Sequence, residues 1–188
     1  MNSDANYLSG KLLVAMPSMG DPRFASSLVY LCAHSSDGAM GLIVNKRAEA
    51  LTLTDLFGKI GIPVGDVLGS QPVHYGGPVE MGRGFVLHSA DYHASDATMR
   101  VDDQTSMTAT IDVLQAMADE RGPEKALVTL GYAGWAPHQL EAELQANGWL
   151  TVDPDPELLF GVADDRKWNH ALKKIGIDPA FLTTGGTA

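Results

Sequence analysis

Residues 125–148 read KALVTLGYAGWAPHQLEAELQANG, and the architecture of the chain follows most directly from this stretch. A run of strand-forming residues, 125–130, meets a glycine-pivoted turn, and Pro137 then opens an acidic helix that Gly148 closes. Such a strand–turn–helix junction leaves backbone N–H groups pointing outward at the helix start. The stretch therefore predicts a binding corner, but it specifies no reaction.

The rest of the chain indicates an α+β fold with a mixed sheet, because short strand-forming runs outnumber helices and are often joined by hairpins. Asp37-Gly38 supplies the tight turn of one hairpin, between strands predicted at 26–34 and 40–45. Residues 61–84 are rich in glycine and proline and are predicted to be mostly loop, with one strand at 73–75. Further strands are predicted at 11–16, 85–88, 98–101, 105–109 and 149–152, and further helices at 54–60, 110–119 and 164–175.

The composition is that of one well-buried domain. Hydrophobic residues make up 45% of the 188 residues and charged residues 19%, which is typical of a folded rather than a disordered chain. We expect a flexible tail at 1–9 and a single domain over 10–188.

The charge balance bears on the partner. The net charge is −10, from 23 acidic and 13 basic residues, and no basic run exceeds two residues. An acidic chain repels phosphate backbones at long range, so direct binding to nucleic acid is disfavoured.

The compartment is predicted from the single cysteine and from the start of the chain. Cys32 has no second cysteine to pair with, which excludes an intramolecular disulfide and fits a reducing cytoplasm. The first ten residues lack the pattern of a signal peptide, and no apolar run approaches the roughly 20 residues of a membrane helix. We expect a cytoplasmic protein that does not enter a membrane.

Cys32 has two interpretations. On a regular strand it shares a face with His34, and a thiol–imidazole contact would make it a redox sensor or a nucleophile. Alternatively, Cys32 is a small buried hydrophobe among Leu28, Tyr30 and Leu31, where free cysteines usually lie. The second interpretation is favoured.

Other motifs predict no cofactor and no metal. The segment from His88 to His93 lacks the spacing of a zinc or iron site. The glycine-rich run 75–84 matches neither a P-loop nor a dinucleotide loop, since Gly82-Arg83-Gly84 leads into a strand rather than a helix. Arg83 is a candidate anion contact on that loop.

Several segments match one known family in their residues and in their order along the chain. They are 10–17 (GKLLVAMP), 21–24 (DPRF), 30–34 (YLCAH), 38–45 (GAMGLIVN), 76–79 (GGPV), 83–89 (RGFVLHS), the junction 131–141, and Leu159-Phe160. Together they resemble the bacterial YqgE/AlgH family, also labelled UPF0301 or DUF179, over about residues 7–182.

The resemblance implies a single α+β domain whose bifurcated sheet curls into a pseudo-barrel with flanking helices. It implies no established reaction, cofactor or DNA site, although members are often labelled transcriptional regulators. The family pattern usually ends in Gly-His-Ala, whereas this chain has Gly186-Thr187-Ala188, so a role for a terminal imidazole does not carry over.

Together these observations predict a cytoplasmic regulatory or binding protein without strong direct DNA binding. The partner is expected to be a protein or a small anionic ligand, and the alternative is a thiol-based redox function of Cys32 with His34. The predicted binding surface consists of Asp21, Arg23, Phe24, Asn45, Gly76, Gly77, Pro78, Arg83, His88, Gly134, Trp135 and Gln139.

Overall fold

The computed structural model describes residues 7–182, with ten strands and five α-helices in that range. The strands are β1 Leu12–Ala15, β2 Leu28–Ser35, β3 Gly38–Ile43, β4 Arg47–Thr52, β5 Pro72–Tyr75, β6 Val79–Ser89, β7 Thr98–Arg100, β8 Thr105–Thr108, β9 Ala126–Trp135 and β10 Trp149–Val152. The helices are α1 Leu53–Lys59, α2 Asp66–Gly69, α3 Ile111–Ala118, α4 Gln139–Gln145 and α5 Asp164–Lys174. Short 3-10 turns lie at Pro22–Phe24, Ser95–Ala97 and Pro179–Phe181, and a π-helical turn lies at Glu157–Gly161.

The sheet divides along one edge of β9. The main path runs β10-β1-β2-β3-β9-β6-β8-β7, and all its neighbours are antiparallel. β5 lies off this path and pairs parallel with β9 at Thr129 and Leu130, whereas β3 takes the same edge from Ala133 to Trp135. The mixed, bifurcated and curled α+β fold expected from the sequence is therefore confirmed.

Two consecutive glycines, Gly76 and Gly77, allow the chain to cross itself at this division. Gly76 donates its N–H to the Leu130 carbonyl and accepts the Ile43 N–H, both at 2.8 Å, so it joins the two branches. A Cβ at Gly76 would lie 2.3 Å from the Gly131 oxygen. A Cβ at Gly77, which has φ +153°, would lie 2.1 Å from the Tyr132 carbonyl carbon. Only glycine is tolerated at these two positions, because the nearest atoms that a Cβ would meet belong to the backbone.

The core consists of three apolar clusters on the faces of the curled sheet. α5 covers the first with Leu172, α4 covers the second with Leu140, and α1 covers the third with Phe57. Each helix buries an apolar stripe against strands, and burial of one such side chain contributes about 1.5–3 kcal/mol.

A buried charge cluster ties α5 to β4 and β5. Asp164 Oδ2 accepts from Arg47 Nε at 2.8 Å and from His74 Nε2 at 2.9 Å, and Oδ1 lies 3.1 Å from Lys167 Nζ. Lys167 is fully buried and also donates to the Val44 carbonyl at 2.8 Å. Burial opposes ionisation of Asp164, but the His74 and Arg47 hydrogen bonds hold its pKa well below the usual range.

The structure corrects several predicted boundaries. β9 does not end at residue 130 but continues to Trp135, because pairing with β3 overrides the turn signal of its glycines. α4 begins at Gln139 rather than at Pro137, after His138 in a left-handed conformation. β6 begins at Val79 within the segment predicted to be loop, and β4 was not predicted.

The predicted flexible tail at 1–9 lies mostly outside the described residues. Its last part packs on the sheet: Leu8 contributes its side chain to the core and Ser9 Oγ accepts the His34 N–H at 2.9 Å. The Gly186-Thr187-Ala188 end also lies outside the described residues. Within 7–182, no helix has the length and apolar character that a membrane crossing demands.

Replacing Gly77 with alanine should strongly destabilise the fold. Its Cβ would collide with backbone that cannot yield, at a φ that L-residues rarely adopt, so we expect a loss of more than about 3 kcal/mol in the free energy of unfolding. Urea unfolding of the wild type and the Gly77→Ala variant measures it. Gly58→Ala is the control, since Gly58 is exposed on α1 with no atom near its missing Cβ, and it should stabilise by about 0.5–1 kcal/mol. A Gly77→Ala variant as stable as wild type would contradict the crossing described here.

Candidate functional site

A small cleft lies where the Pro22–Phe24 turn, the start of β6, the end of β9 and α4 meet. Its volume is about 170 Å³, and we call it the Glu143 cleft. It is lined by Met19, Asp21, Arg23, Phe24, Pro78, Val79, Gly134, Trp135, Gln139 and Glu143. The fold thus brings together part of the predicted surface, namely Asp21, Arg23, Phe24, Pro78, Gly134, Trp135 and Gln139.

A second cleft of about 570 Å³ adjoins it, and we call it the Arg83 cleft. It is lined by Ala39, Met40, Val79, Arg83, Phe85, Tyr132, Gly134 and Trp135. The two clefts share Val79, Gly134 and Trp135, so they lie side by side, and we call the pair the groove.

The groove opens because β6 departs from β9. Val79 pairs with Tyr132 and Gly84 pairs with Leu130, so the whole segment 80–83 stands opposite Gly131 alone. The segment is exposed, and its last residue, Arg83, lines the Arg83 cleft. Within it, Arg83 Nη1 lies 3.6 Å from Glu80 Oε2, and the guanidinium lies 5.1 Å from the Phe85 ring centroid.

Arg23 is already engaged by Asp21 in the Glu143 cleft. Its Nε donates to both Asp21 carboxylate oxygens at 3.1 Å, and its Nη2 donates to Oδ2 at 2.7 Å. The Arg23 hydrogen bonds hold the pKa of Asp21 below its usual range. The guanidinium lies 5.9 Å from the Phe24 ring centroid.

Two aromatic rings of this cleft, Phe24 and Trp135, pack with the buried ring of Trp149 beside the carboxylate of Glu143. Phe24 stacks on Trp135 at 6.5 Å between ring centroids, and Trp149 meets both rings edge-on at 5.8 and 5.9 Å. The indole N–H groups of Trp135 and Trp149 both point to Glu143 Oε1 at 3.4 Å, and Gln139 Nε2 lies 3.4 Å from Oε2. Glu143 is absent from the predicted surface, because its tryptophan neighbours come from two different strands.

Four of the predicted surface residues have structural positions outside the groove. Asn45 Oδ1 accepts the Leu28 N–H and its Nδ2 donates to the Ser26 carbonyl, both at 2.9 Å, which fixes the end of β3 against the preceding turn. Gly76 and Gly77 form the chain crossing described above. His88 is fully buried within the sheet.

His88 belongs to a closed hydrogen-bond chain. Its Nδ1–H donates to the Ser89 carbonyl at 2.8 Å, which leaves Nε2 to accept from Thr108 Oγ1 at 2.8 Å. Thr98 Oγ1 lies 2.8 Å from Thr108 Oγ1 and accepts the Ala94 N–H. Burial lowers the pKa of His88, so the neutral ring is the form that the fold accommodates.

The predicted pairing of Cys32 with His34 is not formed. An irregularity between Leu31 and Ala33 breaks the alternation of β2, so that Cys32 packs in the α5-side core, whereas His34 contacts Glu141 of α4. The Leu8 N–H occupies His34 Nδ1 at 3.0 Å. Burial raises the pKa of the Cys32 thiol to about 12, as expected for an apolar environment.

No metal-binding cluster is found in the part of the chain that the structure describes. No three histidine, cysteine, aspartate or glutamate side chains of residues 7–182 converge as metal ligands would.

The motifs and this architecture match known proteins. A family model described as AlgH-like matches residues 12–180. The chain belongs to the AlgH-like family. A UPF0301 protein of Bradyrhizobium diazoefficiens is 51% identical over 188 residues, covering 96% of this chain and 88% of its own. A UPF0301 protein of Cereibacter sphaeroides is 54% identical over 177 residues, covering 94% and 96%.

Solved structures extend the AlgH-like likeness to the fold. The solution structure of the AlgH protein from Pseudomonas aeruginosa is 36% identical, with a TM-score of 0.80, and the match covers 100% of this chain and 99% of that one. A crystal structure of a Corynebacterium diphtheriae protein has a TM-score of 0.72 over 93% and 91% of the two chains, at 22% identity. The second likeness concerns the fold alone.

In this AlgH-like chain, Cys32 should resist alkylation while the protein is folded. Because its thiol is buried and its pKa is raised to about 12, we expect iodoacetamide to label it only through unfolding. Labelling measured by mass spectrometry at about pH 8 should be slower by about a hundredfold or more in native buffer than in urea. Labelling of the folded protein at a rate close to that in urea would contradict this expectation and support the redox alternative.

Acidification should destabilise the AlgH-like fold through His88. The folded-state pKa is lowered, so the unfolded chain binds the proton more readily, and stability is lost as pH falls through the unfolded pKa of about 6.5. Urea unfolding between about pH 7 and about pH 5 should show a smaller acid loss in His88→Gln than in wild type. Equal pH slopes for the two proteins would show that His88 does not titrate in this way.

Proposed function

We propose that this AlgH-like protein is a cytoplasmic regulatory protein that binds an extended polypeptide segment of a partner in the groove. Recognition is non-covalent in this proposal. The observation that carries it is that Gly134 lies at the junction of the two clefts although the fold does not require a glycine there.

Gly134 is a strand glycine that the fold itself does not require. A Cβ there would meet only the Tyr132 ring, at 3.4 and 4.0 Å, which is ordinary contact. Its backbone is not in the left-handed region, in contrast to Gly131 with φ +77°. It is exposed, and it lines both clefts at their junction. A bare glycine on an exposed strand is typical of a place where another chain or ligand approaches closely.

The shape of the groove suits an extended chain. It is a run of adjoining depressions around Trp135 rather than one enclosed pocket, and side chains of an extended peptide alternate in direction, so they can enter successive clefts.

The charges argue against the small anionic ligand that the sequence also allowed. Both guanidinium groups of the groove already have carboxylate partners, Asp21 for Arg23 and Glu80 for Arg83. An incoming anion would have to compete with these carboxylates, and a chain of net charge −10 repels it at long range. The same repulsion supports regulation through a protein partner rather than through direct contact with DNA.

Filling the groove at Gly134 should abolish partner binding without unfolding the protein. Peptides selected from a displayed random library on the wild type should bind Gly134→Leu at least about tenfold more weakly, because the new side chain occupies the junction of the clefts. Titration of the selected peptides by fluorescence anisotropy measures this.

Gly58→Leu is the matched control, since it places the same side chain at an exposed glycine of α1, far from the groove lining. It should bind the peptides as wild type does. The proposal would be refuted if the selected peptides bound Gly134→Leu as tightly as wild type. It would also be refuted if no peptide bound the wild type above background.

A further inference from the structure

We infer that, within the polypeptide proposed to occupy the groove, an arginine or lysine side chain inserts into the Glu143 cleft. The inference rests on the proposed function and names the residue class that this end of the groove selects.

Glu143 is a partly buried carboxylate without a counter-charge. Its three hydrogen-bond partners are neutral N–H donors at 3.4 Å each, at the long end of the hydrogen-bond range. Within residues 7–182, no lysine, arginine or histidine lies at ion-pair distance from it. By contrast, Asp164 contacts Arg47, His74 and Lys167, and Glu141 contacts His34. A carboxylate that is partly withdrawn from water gains most when a cation reaches it.

Arg23 does not supply that cation, although it lines the same cleft. Its donors are directed to Asp21 through three side-chain hydrogen bonds, and the pair holds the guanidinium beside the Phe24 ring. The Glu143 cleft therefore carries two carboxylates and one guanidinium that is already paired, which leaves one negative charge for a ligand to neutralise.

The aromatic walls favour the same class of group. Phe24 and Trp135 line the cleft, and an aromatic face attracts a cation by about 0.5–2 kcal/mol depending on its exposure to water. Arg23 beside Phe24 shows that this ring already accepts a guanidinium on its face. Carboxylate, indole and phenyl groups together match an alkylammonium or guanidinium head better than they match any anion.

The volume limits what can enter. At about 170 Å³ the cleft is smaller than the roughly 300–1,000 Å³ of pockets that bury drug-sized molecules. It accommodates one side-chain head, while the adjoining Arg83 cleft of about 570 Å³ takes the neighbouring part of the chain. A basic residue flanked by apolar residues is therefore the sequence that the groove should select.

The indole N–H groups of Trp135 and Trp149 provide a direct readout, because both face Glu143 Oε1. Titration with N-acetyl-arginine amide and N-acetyl-lysine amide should shift both indole N–H signals in ¹H–¹⁵N NMR spectra. N-acetyl-citrulline amide has nearly the shape of the arginine probe without its charge, and it should bind at least about tenfold more weakly. Equal shifts with citrulline, or none with the cationic probes, would overturn the inference.

Glu143→Gln tests the carboxylate itself. The variant keeps an oxygen that can accept the indole N–H groups but loses the charge, so cationic probes should bind at least about tenfold more weakly. Glu49→Gln is the control, since Glu49 is an exposed residue of β4 and the net charge changes equally. Similar weakening in both variants would show only a long-range charge effect and would overturn the inference.

The experiments distinguish failure of the inference alone from failure of the proposed function. If selected peptides lose binding to Gly134→Leu but carry no excess of basic residues and ignore Glu143→Gln, the groove binds polypeptides and the inference is wrong. If the cationic probes bind at Glu143 but Gly134→Leu leaves peptide binding unchanged, the polypeptide-binding function is wrong, and the inference, which requires a polypeptide in the groove, falls with it.

Discussion

The close passage of two backbone segments at Gly77 and Gly131 is the constraint on which the rest of the structure depends. A Cβ at either position would lie within 2.3 Å of backbone atoms of the other segment, so the chain can cross there only without side chains. Because of this crossing, β5 pairs with the first part of one edge of β9 and β3 pairs with the last part of the same edge. The curled sheet, and the separation of its core into clusters under different helices, follow from that exchange of partners.

The same crossing accounts for the position of the groove. The pairing of β6 with β9 starts with Val79 opposite Tyr132, so the end of β9 beyond Tyr132 has no β6 residue paired on this flank. Gly134 and Trp135 lie on that flank, and the Pro22–Phe24 turn and α4 close it at one end. Carboxylates and aromatic rings meet there because three elements distant in sequence converge on a strand that lacks its neighbour.

The sequence predicted the centres of most strands, though not of β4, and several of the residues that line the groove, because local patterns of apolar, glycine and proline residues indicate both. It misplaced the end of β9, since Gly131 and Gly134 resemble turn residues until β3 is known to pair beside them. The disfavoured alternative that paired Cys32 with His34 assumed strict alternation, which does not anticipate an irregular strand. Glu143 and His88 acquire their environments only from tertiary neighbours, which no local pattern records.

The segment 80–83 has a consequence for how the family can diversify. Because these residues stand opposite a single residue of β9, additions or deletions here would leave the pairing on both sides in register. The length and chemistry of this rim are thus uncoupled from folding. Natural variation concentrated in this short stretch would let homologues keep one scaffold while changing what each of them recognises.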